Sequence, residues 1–292
     1  MSAGASITAE IMAFHRATEM LRPEDERVCQ DPFAVKFLSQ EWAEIFTERQ
    51  RLTALAIESA KKFPGINGAV VARARFIDEI VLQYVEEGLA QIAILGAGYD
   101  SRAYRIQEIK ENVTVFEVDD PSTQEIKIER LIKIFGEKPG HVRFVPIDFV
   151  SDDLKTRLME HAYDPQKRTL FIMEGLIFYL PAQVIDRIFT FIAKHGGFSG
   201  AVVFDYLPPS VINGTSDRTE VQNFRKDLEN YGEYLRFGLE SNELATFLMQ
   251  RGFELKKNIN APDLRAKYFP GKSREREITP IFWFAHAAVR GL

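Results

Sequence analysis

The 292-residue chain has the composition of a globular protein, with 46% hydrophobic residues, 27% charged residues and a formal net charge of −5. This balance provides no basic surface of the kind that a nucleic-acid partner requires. The single cysteine, Cys29, excludes an internal disulfide and a thiolate zinc cluster, and it favours a reducing, cytoplasmic location. No apolar run approaches the roughly 18 residues of a membrane span, and the N-terminus lacks the pattern of a secretory signal.

The first part of the chain, residues 1–88, is predicted to be a mostly helical N-terminal cap. One face of a first helix is formed by Ile7, Ile11, Phe14, Thr18 and Leu21. A second helix is predicted over residues 68–88, because apolar side chains recur there at helical spacing.

The second predicted helix places two arginines on different faces. Its apolar stripe consists of Val70, Ala74, Ile77, Val81 and Tyr84. At about 100° per residue, Arg73 lies about 60° from the centre of this stripe and Arg75 about 140° from it. Arg73 is therefore expected at the edge of the buried face, and Arg75 is expected to point away from it.

Five short apolar runs alternate with helical patterns in the middle of the chain. The predicted strands are QIAIL (91–95), VTVFEVD (113–119), VRFVPI (142–147), TLFIM (169–173) and GAVVFDY (200–206). Continuous apolar runs are typical of strands that are buried on both faces. The alternation predicts an α/β fold with a doubly wound, mostly parallel sheet.

The pattern changes after the fifth predicted strand. Residues 207–240 are predicted to be a helical lid insertion. Its apolar stripe consists of Phe224, Leu228, Tyr231 and Leu235, which would either line a lid over the acceptor or be packed core. Two closing strands are expected at 253–259 and 278–290, and the loop between them favours an antiparallel hairpin at one edge of the sheet. The whole chain, 1–292, is predicted to be one domain that includes the cap and the lid.

The stretch AILGAGYDSRAYR predicts a turn that binds a ligand. Gly96 and Gly98 follow the first strand, and glycine lets the backbone approach a ligand closely. Asp119 ends the second strand, twenty-one residues after Gly98. An acid at this point can accept hydrogen bonds from both hydroxyls of a ribose. The alternative interpretation is a structural turn, in which Asp119 only caps the next helix.

Asp100 bears on the identity of the nucleotide. In a dinucleotide site the pyrophosphate lies at the helix start, where the carboxylate of Asp100 would repel it. S-adenosylmethionine has no phosphate and carries a sulfonium and an ammonium group, so an acidic turn suits it better. The residues therefore favour S-adenosylmethionine, and a nicotinamide-dependent oxidoreductase stays open as an alternative.

Four ordered segments carry a family pattern. They are ARARFIDEIVLQYVEEGLAQIAILGAGYDSRAYRI (72–106), VFEVDDP (115–121), VPIDF (145–149) and TLFIMEGLIFYLP (169–181). Together they resemble the leucine carboxyl methyltransferase family, which also holds tetracenomycin-type polyketide O-methyltransferases. The resemblance implies a class I methyltransferase fold, with a seven-stranded Rossmann-like sheet whose last strand is antiparallel. It also implies S-adenosyl-L-methionine as the methyl donor.

The resemblance implies roles at the methionine end of this cofactor. Arg73 would bind the cofactor carboxylate, with Arg75 as a competing alignment that the helical geometry disfavours. Gly96 and Gly98 would pass beneath the methionine part. Glu174, at the end of the fourth strand, would face the ammonium group, although it could instead be a strand-end acid with a protein partner.

At the nucleoside end the resemblance implies three contacts. Asp119 would hold the ribose hydroxyls. Asp148 would meet the adenine through its carboxylate, and Phe149 would meet it through its backbone. An alternative for Asp148 is to cap a helix that begins near Ser151.

The predicted activity is S-adenosylmethionine-dependent O-methylation of a carboxylate or a hydroxyl group on a small molecule. A carboxylate is already ionised at neutral pH, whereas a base would assist transfer to an alcohol or a phenol. His15 and Tyr206 are the nearest candidates for a base, and the sequence nominates neither. No catalytic residue and no metal ligand is therefore predicted. A protein C-terminal carboxyl methyltransferase is the alternative, and the oligomeric state is left open.

Overall fold

A seven-stranded sheet organises residues 6–290, the part of the chain that the computed structural model describes. Its strands are β1 (Gln91–Leu95), β2 (Thr114–Asp119), β3 (Val142–Pro146), β4 (Thr169–Met173), β5 (Ala201–Tyr206), β6 (Phe253–Asn260) and β7 (Trp283–Val289). They are hydrogen-bonded in the order β3-β2-β1-β4-β5-β7-β6. The first five strands are parallel, and β7 is antiparallel to both of its neighbours. The predicted fold class is confirmed.

Helices connect the strands and precede the sheet. Before β1 lie α1 (Ile7–Glu19), α2 (Gln40–Thr47), α3 (Arg49–Lys62) and α4 (Ile66–Glu86). Between β1 and β5 lie α5 (Arg102–Arg105), α6 (Gln107–Asn112), α7 (Pro121–Phe135), α8 (Leu154–Glu160) and α9 (Ala182–His195). After β5 lie α10 (Pro209–Ile212), α11 (Thr219–Asn230), α12 (Leu244–Met249) and α13 (Ala261–Tyr268). Within residues 6–290, no helix is both long and apolar enough to cross a membrane.

Both faces of the sheet are covered by packed side chains. In β1, Ile92 and Ile94 belong to one apolar cluster, and Ala93 and Leu95 belong to another. Successive side chains of a strand point to opposite faces, so the two clusters are the cores on the two sides of the sheet. Double burial is the reason that the strands are continuous apolar runs in the sequence.

The two predicted faces in the N-terminal helices have different outcomes. The stripe on α4 is confirmed, because Val70, Ala74, Ile77, Val81 and Tyr84 are all buried. The face predicted for the first helix is wrong in part, since Ile7 is 45% exposed and Leu21 lies beyond the helix end and is 60% exposed. The inner face of α1 instead buries Arg16 and Glu19, which pair with Asp31 and Arg276. Hydropathy alone does not identify polar residues that are buried by pairing.

The connection between the closing strands differs from the expected loop. β6 and β7 are antiparallel, as predicted, but the segment between them contains α13 and a 3₁₀ turn. This segment crosses the start of α4 so closely that a Cβ on Gly68 would lie 2.2 Å from the carbonyl oxygen of Glu277. The charged connection therefore fastens the N-terminal helices to the sheet.

Candidate active site

A cavity of about 770 Å³ opens beyond the carboxyl ends of the central parallel strands. Gly96 and Gly98 follow β1, Asp119 ends β2, and Glu174 follows β4; all four line the cavity, together with Arg73 from α4. The strand order reverses between β1 and β4, which is the usual ligand position in open α/β sheets. Five of the seven predicted cofactor-binding residues therefore lie around one space.

The glycine turn forms the floor of this cavity. Gly96 has φ = +68° and Gly98 has φ = +44°, a backbone conformation that glycine adopts without steric cost. A Cβ on Gly96 would lie 2.9 Å from Cδ1 of Leu176. The turn is fastened to the second strand, because the amide of Gly98 donates a hydrogen bond to the carboxylate of Asp119.

Asp119 is placed to accept hydrogen bonds from a ligand. One of its oxygens accepts from Gly98, and the other accepts from the amide of Asp120 at 2.7 Å. Each carboxylate oxygen keeps a further lone pair for a ribose hydroxyl. The alternative role as a helix cap falls to Asp120, whose side chain accepts from the amide of Ser122 at the start of α7. Burial raises the pKa of Asp119 to about 6.

The raised pKa makes cofactor affinity depend on pH. Ribose hydroxyls donate to the ionised carboxylate, so we expect the affinity for S-adenosylhomocysteine to be constant above pH 6. It should fall by up to tenfold for each pH unit below 6, as Asp119 becomes protonated in the free protein. Calorimetric titrations between pH 4.5 and 8 measure this. An affinity that is flat across pH 6 would contradict the prediction.

Arg73 carries a donor group that the protein leaves almost unused. Its Nη1 donates to Asp205 at 2.6 Å and its Nε to Glu174 at 3.0 Å. Within residues 6–290, the acceptor for Nη2 is Sδ of Met12 at 3.4 Å, and a thioether is a weak acceptor. A buried guanidinium with one open edge fits a ligand carboxylate, such as that of the cofactor's methionine part. Arg75 is on the surface beside Glu79 and does not line the cavity.

Glu174 is held between two arginines. Its Oε2 accepts from Arg102 at 2.7 Å, and its Oε1 accepts from Arg73. These two guanidinium groups overcome the effect of burial and hold the pKa of Glu174 well below its usual value. Glu174 is thus a carboxylate at every physiological pH, as an ammonium partner requires. The alternative for Glu174, a strand-end acid paired within the protein, is also met by these two arginines. Pairing with arginines is compatible with a role toward an ammonium group.

Arg102 and Asp205 lie outside the cavity lining and pair with the residues that line it, and the sequence did not reveal either of them. Arg102 also pairs with Asp78 at 2.8 Å and with Asp100. The charge of Asp100 is therefore compensated by an arginine, so Asp100 does not act as the free carboxylate from which repulsion of a phosphate was inferred. The sequence features that could have pointed to them are the two arginines of DSRAYR, for Arg102, and the acid within the apolar run VVFDY, for Asp205.

The two remaining predicted residues lie outside the cavity lining. Asp148 is exposed and accepts a hydrogen bond from the amide of Val150 at 2.9 Å. Phe149 is half-buried, and its carbonyl accepts from Arg187 at 3.1 Å. The neighbouring Val150 does line the cavity. The adenine contacts of Asp148 and Phe149 stay predictions.

Much of the remaining cavity lining is aromatic. This part, called the aromatic end below, is formed by Phe14, Trp42, Phe63, Phe178, Tyr179, Phe224, Tyr231, Tyr234, Phe282 and Phe284. From the predicted lid stripe, Phe224, Leu228 and Tyr231 line the cavity, whereas Leu235 packs against the core beside it.

The two candidate bases occupy different environments. His15 lines the cavity, and burial, reinforced by Arg16 and Arg73, lowers its pKa to about 4. Tyr206 does not line the cavity, and its hydroxyl donates to Asn258 at 2.8 Å. A histidine with so low a pKa is a weak base, and Tyr206 lies outside the cavity lining, so neither candidate is supported as a general base. Between residues 6 and 290, no cluster of three or more His, Cys, Asp or Glu side chains could hold a metal ion.

A methyl group at Gly98 is expected to weaken cofactor binding. In Gly98→Ala the positive φ costs about 1–2 kcal/mol, and the new Cβ would lie 3.2 Å from the Cβ of Ala9. Gly88→Ala is a matched control, because Gly88 has φ = +83° with nothing within 4 Å of its Cβ position. We expect similar losses of thermal stability and a loss of S-adenosylhomocysteine affinity only in Gly98→Ala. Equal affinities would mean that the turn is purely structural.

The strand order, with the cavity at its switch point, is that of the class I methyltransferase fold. Residues 9–193 match the leucine carboxyl methyltransferase family, and the chain belongs to that family. This assignment decides between the two cofactor classes that the turn left open: S-adenosyl-L-methionine is the methyl donor.

Relatives and solved structures agree with the assignment. A protein of Mycolicibacterium smegmatis, named as belonging to the S-adenosyl-L-methionine-dependent methyltransferases, is 30% identical over 84% of this chain and 79% of its own. A protein of Frankia alni with the same designation is 30% identical over 91% and 86%. The crystal structure of a protein from Thermobifida fusca, described as a methyltransferase, has a TM-score of 0.57 and 14% identity over 99% and 96% of the two chains. That structural likeness supports the fold.

Proposed function

We propose that this methyltransferase transfers a methyl group to a carboxylate or a hydroxyl of a small, largely apolar molecule. The observation that carries the proposal is the continuity of the cavity from Asp119 and Arg73 to the aromatic end. Its volume of about 770 Å³ lies within the range of small-molecule sites. A reducing, cytoplasmic location fits the unpaired and buried Cys29.

The roof of the aromatic end favours a small acceptor over a polypeptide. The end of α3 meets α11 there: the rings of Phe63 and Phe224 are 5.0 Å apart, and Asn223 donates to the carbonyl of Lys62 at 3.2 Å. We propose that α11 belongs to the lid (207–240) and that α1 to α4 belong to the cap (1–88), of which residues 1–5 lie outside the described part. The contact between α3 and α11 would then join the cap to the lid. A chain terminus of a protein would need a wider approach than a free small molecule.

In this proposal the chain acts mainly by alignment. The cofactor supplies an activated methyl group, and displacement at that carbon requires the acceptor oxygen in line with the bond that breaks. Arg73, Glu174 and Asp119 would fix the cofactor at three points. The aromatic end would exclude water and hold the acceptor, and no step needs a metal.

The test is a transfer assay with a labelled methyl group and two acceptor sets. One set contains aliphatic and aromatic carboxylic acids, alcohols and phenols; the other contains peptides with a free C-terminal carboxylate. We expect transfer to a small molecule, and base treatment distinguishes the products because methyl esters hydrolyse and methyl ethers do not. Transfer to peptide ends alone would overturn the proposal in favour of the protein carboxyl methyltransferase.

Two variants test the place of the acceptor. Phe224→Ala removes one side of the roof and is expected to raise the KM for the acceptor without changing S-adenosylhomocysteine affinity. Phe198→Ala is the control, because Phe198 is 85% exposed and does not line the cavity. Equal acceptor KM values in the two variants would place the acceptor elsewhere.

A further inference from the structure

A buried acid in the fifth strand stands behind the cavity wall. Asp205 lies in β5, whose residues are all buried, and its own side chain is 0% exposed. A carboxylate in such a strand is costly unless it is paired and hydrogen-bonded. Asp205 does not line the cavity, so any contribution to cofactor binding must pass through other residues.

The two oxygens of Asp205 hold two different parts of the site. Oδ2 accepts a hydrogen bond from Nη1 of Arg73 at 2.6 Å. Oδ1 accepts from the amide of Gly175 at 2.6 Å. Gly175 follows Glu174 directly and has φ = +67°, and a Cβ on it would lie 3.5 Å from Nη1 of Arg73. The backbone turn that presents Glu174 is therefore packed directly on the guanidinium of Arg73.

We propose that Asp205 is the positioning residue for the amino-acid end of the cofactor. A single rigid carboxylate sets the distance between the cation that meets the cofactor carboxylate and the anion that meets its ammonium group. The inference rests on the proposed cofactor roles of Arg73 and Glu174. Asp205 fixes the open Nη2 edge of Arg73 toward the cavity and prevents the Glu174 turn from shifting.

Substitution by asparagine separates this role from simple charge balance. Asp205→Asn keeps the size of the side chain, but an amide has one acceptor oxygen where the carboxylate has two. The variant can satisfy Arg73 or Gly175, and not both. A positioning role predicts a loss that is specific for ligands with the amino-acid part.

The experiment compares two ligands by calorimetry. S-adenosylhomocysteine contains the amino-acid part, whereas 5′-methylthioadenosine has the same nucleoside and lacks that part. In Asp205→Asn we expect S-adenosylhomocysteine to bind at least tenfold more weakly and methylthioadenosine to bind within twofold of the unaltered protein. The KM for S-adenosylmethionine should rise more than kcat falls. Equal losses for both ligands, or no loss for either, would overturn the proposal.

Glu117→Gln is a matched control. Glu117 is also a fully buried strand carboxylate that is paired with a cation, Lys127, and it does not line the cavity. Its substitution should leave the ratio of the two affinities unchanged. A change of that ratio equal to the one in Asp205→Asn would show that loss of any buried charge has this effect, and the positioning role would be refuted.

A double variant, compared with Arg73→Gln alone, keeps the test valid if Asp205→Asn does not fold. Arg73→Gln together with Asp205→Asn leaves no unpaired buried charge between the two residues. Part of the effect of Asp205 passes through Arg73 and part through the Glu174 turn, so the double variant should lose less discrimination between the ligands than the sum of the two single losses. Fully additive losses, in which the whole tenfold loss expected of Asp205→Asn is added to that of Arg73→Gln, would refute the positioning role. If Arg73→Gln still discriminates between the two ligands as the unaltered protein does, the proposed role of Arg73 is wrong. If Arg73→Gln loses this discrimination and Asp205→Asn keeps it, the role of Arg73 stands and that of Asp205 is wrong.

Discussion

Replacing Lys127 by methionine is expected to lower the free energy of unfolding by about 3–5 kcal/mol. The ammonium of Lys127 lies 2.7 Å from the carboxylate of Glu117, and both side chains are 1% exposed. The hydroxyl of Tyr104 donates to the same carboxylate at 2.7 Å. Removal of the cation leaves Glu117 as a buried charge without its counterion, which is far more costly than the loss of an exposed ion pair. Denaturant unfolding at pH 7 measures the loss.

The pH dependence and two controls make this prediction specific. Burial already raises the pKa of Glu117, and Lys127 works against that shift. The deficit of Lys127→Met should therefore shrink as the pH falls and the unpaired Glu117 becomes protonated. Lys127→Met combined with Glu117→Gln should recover stability, because neither residue is then charged. Lys133→Met, on the exposed side of the same helix, should change the free energy of unfolding little. If Lys127→Met had as small an effect as Lys133→Met, the prediction would be wrong.

Replacing Asp119 by asparagine is expected to weaken S-adenosylhomocysteine binding on the order of 100-fold, because hydrogen bonds to a charged group contribute about 1.5–3 kcal/mol each. The amide of asparagine has one acceptor oxygen, and the amides of Gly98 and Asp120 already compete for it. At most one lone pair then stays free for the two ribose hydroxyls. Calorimetry at pH 8, where Asp119 is ionised, gives the full difference.

The comparison variants define what the Asp119 result means. Asp186→Asn, on α9 and away from the cavity lining, should not change the affinity. Asp148→Asn decides whether the predicted adenine contact exists, since a role in binding requires a loss in that variant too. In Asp119→Asn the fall of affinity below pH 6 should also vanish. A loss of less than about threefold would show that Asp119 serves the turn and not the ribose.

Local patterns were sufficient to predict the sheet and the residues that line the cavity at its carboxyl edge. Continuous apolar runs located the strands to within a few residues, because double burial leaves little room for polar side chains. Gly96, Gly98 and Asp119 were found since their positions follow from where the first two strands end. Arg73 was separated from Arg75 by helical geometry alone, and the structure has Arg73 4% exposed at the cavity.

The supporting charges could not be predicted in the same way. Arg73 and Asp205 are 132 positions apart in sequence, and an ion pair between them depends on the path of the whole chain. A buried acid such as Asp205 looks, in one sequence, like a polar interruption of an apolar strand. The helical segment after the glycine turn is divided into α5 and α6 at Ile106, and no glycine or proline in the sequence marks this division.

Cys29 gives the chain a chemical reporter of its own opening. It is the one cysteine of the sequence, it is 2% exposed, and burial followed by the charge of Glu19 raises the pKa of its thiol far above the usual value. Both effects keep the thiol unreactive in the closed state. The rate at which a thiol reagent labels the protein therefore measures how often the core around Cys29 opens, and a ligand that stabilises this part of the folded chain will slow that labelling.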